Sequence, residues 1–176
     1  MKRKREHYLV DGYNVIHANP ELAAMLNDLS AARDRLVEIL EEYGAYEKYE
    51  MTIVFDALFT ADEEHEEKRG KHLTVVYTGA GETADSFIER RSYELAHNDR
   101  EVHVVTSDGA EQFVILGAGA YRLPSKELWR RVRQFKERLR REVLKPSAPT
   151  LARYDVASKL DSDVAARLDA MRKSIK

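Results

Sequence analysis

Tyr8-Leu9-Val10-Asp11-Gly12-Tyr13-Asn14 is the stretch whose reading decides the fold. It begins as a short apolar strand and ends abruptly in an acid, a glycine and an amide. Open α/β sheets build their sites this way, because the ligand crevice lies outside the carboxyl ends of the strands. The rest of the chain is therefore read for strands that bring matching groups to the same edge.

Three strands do so. Met51 to Phe55 is apolar and runs into Asp56. Leu73 to Tyr77 runs into Thr78-Gly79-Ala80-Gly81, a turn that opens a helix from about Thr83 to His97 and puts Asp85 in its first turn beside Glu82. Val102 to Val105 runs into Thr106-Ser107-Asp108, and Asp108 with Glu111 forms a capping-box pattern that predicts a short helix. Gly117 and Gly119 end that helix, and Tyr121 to Leu123 is a short fifth strand.

Between the first two strands, Pro20 opens a short helical stretch over 21–27, and Leu29, Leu36, Leu40 and Tyr43 mark a helix from Ser30 to about Tyr46. Arg33 lies on that apolar stripe, so it needs a partner or an exit to water. Residues 57–72 are polar and charged, with Gly70 as a breaker, and read as an exposed, mobile loop. Pro124-Ser125 starts the longest helix, whose apolar stripe is Leu128, Val132, Phe135, Leu139 and Val143 until Pro146 stops it. A weaker helical pattern runs from Asp161 to about Ser174. Strands alternating with helices predict a three-layer α/β/α domain with a mainly parallel central sheet over residues 1–145. Residues 146–176 then form a linker and a C-terminal helical tail. Right-handed crossovers put the ends of the first, second and fourth strands on one edge.

The chain has 176 residues, 43% of them apolar, which is enough for a real core. No apolar run approaches the length of a membrane span, and Lys2-Arg3-Lys4-Arg5 is followed by too short an apolar run for a signal peptide. With no cysteine there is no disulfide, thiol nucleophile or thiolate metal site, and a cytoplasmic protein is the simplest reading. The net charge of −2 does not by itself suggest nucleic acid, but its distribution does: residues 126–145 hold nine Lys/Arg against three Glu.

Asp11, Asp56, Asp85 and Asp108 thus gather at one predicted edge. Each has a plain structural explanation: Asp108 as a helix cap, Asp85 as a complement to a helix dipole, Asp56 as a turn residue. Asp11 is harder to explain so, because Gly12 and Asn14 accompany it. Carboxylates crowded together raise each other's pKa. A hard divalent cation removes that cost, and Mg²⁺ or Mn²⁺ on carboxylate and phosphate oxygens would suit phosphodiester hydrolysis. Other chemistries fit poorly. Gly79-Ala80-Gly81-Glu82-Thr83 lacks the lysine of a phosphate loop, the six histidines contain no HExxH, and Ser107 has no evident histidine–acid partner.

The motifs Asp11-Gly12-Tyr13-Asn14-Val15-Ile16, Ala32-Arg33-Asp34, Val54-Phe55-Asp56, Gly81-Glu82-Thr83-Ala84-Asp85 and Thr106-Ser107-Asp108 with Glu111-Gln112 resemble the YacP-like branch of the NYN domains, in the PIN-like nuclease superfamily. The resemblance runs from about residue 7 to 145. It implies a metal-dependent endoribonuclease whose acidic site is Asp11, Asp56, Asp85 and Asp108, with Asp11, Asp85 and Asp108 on Mg²⁺ or Mn²⁺. Asn14, Arg33, Glu82 and Ser107 are implied as supporting or substrate-contacting residues. Relatives in this branch are ribosome-associated nucleases acting on messenger RNA, which implies RNA as partner and the ribosome as a second one.

The long helix carries Arg130, Arg131 and Arg138 among its cations, a surface that either is simply solvated or meets RNA phosphates, which position a backbone without reading its sequence. Trp129 and Tyr121 serve core packing at least as well as base stacking. Three functions remain in competition. A metal-dependent endoribonuclease uses both the acids and the basic helix. A non-catalytic RNA- or ribosome-binding module needs only the helix, and a small-molecule phosphohydrolase only the acids.

Overall fold

A computed structural model describes residues 5–56, 64–107, 117 and 119–144. Contacts divide the chain into two units, 1–136 and 137–176. Unit one is an α/β domain. Its elements are β1 (Glu6–Asp11), α1 (Gly12–His17), α2 (Pro20–Ala23), α3 (Leu29–Glu47), β2 (Glu50–Phe55), β3 (His65–Arg69), β4 (Leu73–Tyr77), α4 (Ala84–His97), β5 (Glu101–Val105), β6 (Tyr121–Leu123) and the start of α5 (Ser125–Leu144). Of unit two, the described part is 137–144, the last turns of α5.

The sheet order is β3-β4-β2-β1-β5-β6, with every pairing parallel except β3 with β4. The central strands are rich in valine, isoleucine and threonine and are buried on both faces, as parallel strands between helices must be. One face presents Leu9, Val54, Val76, Val102 and Val104 to Phe87 and Ile88 of α4. The other presents Tyr8, Met51 and Phe55 to α3 and to the first turns of α5. There the Tyr43 ring meets Phe135 at 5.7 Å, and Arg131 Nη1 donates to the Tyr8 hydroxyl at 3.3 Å. This is the expected three-layer arrangement. β1 has β2 on one side and β5 on the other, so the strand order reverses direction there, and a ligand crevice is expected at the carboxyl ends of β1 and β5.

Two local expectations need correction. The loop expected over 57–72 contains strand β3, antiparallel to β4. Gly70, at φ +59°, turns the chain between the two strands instead of merely breaking it. The sequence His65-Glu66-Glu67-Lys68-Arg69 hides the strand because an edge strand gains from charge, which discourages pairing with other chains. Secondly, Asp11-Gly12-Tyr13-Asn14 leads straight into α1, for which Asp11 is the N-cap. The expected short helix after Asp108 and the tail helix lie outside the described residues. Among the described residues no helix is long and apolar enough to cross a membrane.

Candidate active site

Asp11 ends β1 half-buried, and its Oδ1 accepts the backbone N–H of Asn14 at 3.0 Å. That bond caps α1 and fixes where the carboxylate stands. The next residue is glycine in a tight place: a Cβ on Gly12 would run into Cε1 of the Phe55 ring. Burial pushes the Asp11 carboxyl above the usual aspartate range. The Asn14 N–H opposes the shift, and the charges of Asp85 and Asp56 add to it. Asp85 and Asp56 thus act electrostatically on Asp11.

Asp56 follows β2, half-buried, and accepts a long 3.4 Å hydrogen bond from Thr78 Oγ1 at the end of β4. Asp85 is exposed in the first turn of α4, which Thr83 caps by accepting the Ser86 N–H at 3.2 Å. Glu82, beside Asp85 in sequence, is taken by Arg90, whose Nη2 lies 3.1 Å from Oε1; Arg90 also reaches Glu64 at 3.6 Å. Among the described residues no Lys, Arg or His forms an ion pair with Asp11, Asp56 or Asp85. Nor do any three His, Asp or Glu among them stand close enough together to hold a metal ion. Asp108 lies outside the described residues.

Asn14 does more than its sequence context indicated. Its Oδ1 accepts the Ser107 N–H at 2.9 Å and the Ser125 hydroxyl at 3.3 Å. One side chain thereby ties the end of β1 to the end of β5 and the start of α5, across the switch point. The exposed Ser107 is held from the other side as well, because Arg122 Nη2 donates to its carbonyl at 3.1 Å. Trp129 is core, with its indole N–H donated to the Val15 carbonyl at 2.9 Å. Ser125, Arg122 and Trp129 were not legible as parts of this frame, because their partners are distant in sequence. The one local signal was the Pro124-Ser125 helix start.

Arg33 packs on aromatic rings. It lies on the α3 face, 5.6 Å from the centre of the Tyr77 ring and 6.0 Å from that of Phe55. Arg130 grips Glu127 with two 2.7 Å bonds, and Arg131 reaches Glu127 at 3.4 Å besides Tyr8. Arg138, in the second unit, is exposed on its helix.

Comparison with known proteins decides the lineage. The sequence profile of the YacP-like NYN domain matches residues 8–173. The chain belongs to the YacP-like NYN domain family. The match runs past residue 145, so this NYN chain shares its tail, as well as its sheet, with the family. YacP of Bacillus subtilis (strain 168) is 39% identical over 139 residues, spanning 78% of this chain and 81% of that protein. A crystal structure of Rae1 (YacP) from Bacillus subtilis superposes with a TM-score of 0.68 at 32% identity, over 94% of both chains. A mutant form of the same protein gives 0.70 at 33% identity, over 94% of this chain and 99% of the other. The NYN fold is PIN-like, which places the chain among nuclease-like, RNA-related proteins.

Proposed function

We propose that this chain is a cytoplasmic, divalent-metal-dependent endoribonuclease that hydrolyses RNA phosphodiester bonds, with ribosome-associated messenger RNA as its target class. The observation that carries the reading is the state of Asp11. It is a half-buried carboxylate at the switch-point edge, pushed toward neutrality by burial and by Asp85 and Asp56, with no cation of the described residues to offset them. The donor chemistry fits Mg²⁺ or Mn²⁺, since all the groups are hard carboxylate oxygens. Asp11 and Asp85 would hold the ion, with Asp108 entering this set through its sequence motif and Asp56 as a fourth acid. Held there, the ion would supply shielding of phosphodiester charge and activation of water.

The chain's own residues do the positioning. The Asn14 N–H holds the Asp11 carboxylate, and the Asn14 side-chain oxygen holds Ser107 at the end of β5. Arg90 holds Glu82 next to Asp85. Lys126, Arg133 and Lys136 of α5 are exposed and form no ion pair among the described residues, so they supply the phosphate attraction more readily than Arg130, which Glu127 occupies.

A second reading, an RNA- or ribosome-binding module without catalysis, is favoured by one fact: Asp11 already serves as a helix cap. The test is to incubate the protein with structured and unstructured RNA, with and without Mn²⁺. Endonucleolytic products that require Mn²⁺ support the ribonuclease. RNA binding without cleavage under any divalent ion supports the module. Hydrolysis of small phosphate esters alone would contradict both.

A further inference from the structure

Asp11 and Asp56 follow Leu9 and Val54 on the α4 face of the sheet edge; on the other face the same edge carries a row of aromatic rings. β2 and β4 end in Phe55 and Tyr77, which are paired in register, with rings 5.7 Å apart and inclined by 26°. His65 opens β3 directly opposite Tyr77, and its ring stacks on Tyr77 at 4.6 Å and 19°. Tyr13 meets Phe55 edge-on at 5.4 Å. The row is graded in exposure. Phe55 is fully buried against Gly12, the neighbour of Asp11; Tyr77 is half-buried; His65 has 54% of its side chain exposed. One end of the row therefore adjoins the acidic site and the other is open.

The row ends in an exposed ring and carries a guanidinium at its side. Arg33 is half-buried over the Tyr77 and Phe55 rings, and among the described residues no carboxylate pairs with it. Glu67 comes no nearer to His65 than 4.0 Å, at Nε2. A ring face beside a cation that pairs with no carboxylate among the described residues suits an unstacked nucleobase and its phosphate. We propose that the exposed ring of His65, backed by Tyr77, Phe55 and Tyr13, forms a stacking subsite for an unpaired base of RNA, with Arg33 facing the adjoining phosphate. The inference rests on the ribonuclease reading above and narrows the substrate to RNA that is single-stranded beside the cleaved bond.

The test uses the full chain in EDTA, so that bound RNA stays intact. Short unstructured RNAs, each with one abasic position moved stepwise along the strand, are compared with the fully based strand by fluorescence anisotropy. At one position the wild-type protein should lose about tenfold in affinity when the base is removed. In His65→Ala and Tyr77→Leu that penalty should fall to about twofold or less, while Tyr77→Phe should keep it. A purely structural effect would weaken binding of based and abasic strands alike and leave the penalty unchanged. His65→Ala alters an exposed edge residue, so it reports even if Tyr77→Leu destabilises the fold. An undiminished penalty in folded His65→Ala, with RNA still bound, overturns the subsite and leaves the ribonuclease reading standing. No binding of any of these RNAs by the wild type overturns the subsite, and cleavage in Mn²⁺ decides the ribonuclease reading separately.

Discussion

Acidification tests how β1 is packed, through His7. Its side chain is buried in the sheet, with Nε2 2.9 Å from Thr52 Oγ1 and Nδ1 3.9 Å from Glu50 Oε2. Burial lowers its pKa to about 4 from the model-compound 6.5; Glu50 opposes the shift, and Arg100 and Arg91 reinforce it. The folded protein thus holds this imidazole neutral where the unfolded chain would protonate it. The sign follows. Stability from His7 is complete above the unfolded pKa of 6.5 and is lost as pH falls toward the folded value of about 4, below which both states are charged. Each unit of separation is worth about 1.4 kcal/mol, so the full loss is about 3 kcal/mol, of which about 2 kcal/mol develops between pH 7.5 and pH 5. The assay is urea unfolding across that range for the wild type and His7→Gln, which stays neutral and retains an amide near Thr52. Other titrating groups are common to both proteins, so the difference in their pH slopes isolates His7. Wild type should lose about 2 kcal/mol more than the variant over that interval. Parallel slopes would refute a buried neutral His7.

Three further perturbations probe the frame of the site. Gly12→Ala forces a Cβ into the Phe55 ring, and overpacking of this kind costs about 1–3 kcal/mol, read as a fall of roughly 2–12 °C in Tm; an unchanged Tm would mean the ring is not held there. Asn14→Ala removes the acceptor shared by Ser107 and Ser125, which should cost about 1–2 kcal/mol and speed hydrogen exchange at the Ser107 amide; undiminished protection of that amide would contradict the bridge. Replacing Lys126, Arg133 and Lys136 by alanine should flatten the dependence of log affinity for single-stranded RNA on log salt by about 0.7 for each cation that meets a phosphate, and Arg130→Ala should change it less. Equal slopes for the triple variant and wild type would remove this face of α5 from the RNA contact.

The sequence was most informative where local chemistry and global position agree. An apolar strand ending in Asp11, another ending in Asp56, and Asp85 one residue into a helix capped by Thr83 follow from short-range patterns, and the parallel sheet then fixes the shared edge. What escaped depends on long-range geometry or on a misleading local signal. Charged β3 reads as loop because an edge strand is selected for charge. Asn14 looks like a turn amide because its partners are 93 and 111 residues away. Arg33 reads from sequence as a residue that holds the acids or the phosphate, and its contacts with the Tyr77 and Phe55 rings, set by long-range packing, were not legible. The tail, with its weak helical pattern, gave no motif to compare, although the family profile extends to residue 173.

The central claim is that Asp11 belongs to a metal-dependent ribonuclease site, and single-turnover cleavage of RNA by wild type and Asp11→Asn in Mn²⁺ tests it most directly. Asparagine preserves the oxygen that caps α1, so the variant should fold with Asn14 in place. It should cleave roughly a hundredfold more slowly or worse, equivalent to about 3 kcal/mol of lost transition-state stabilisation. Cleavage by folded Asp11→Asn at the wild-type rate would contradict the account.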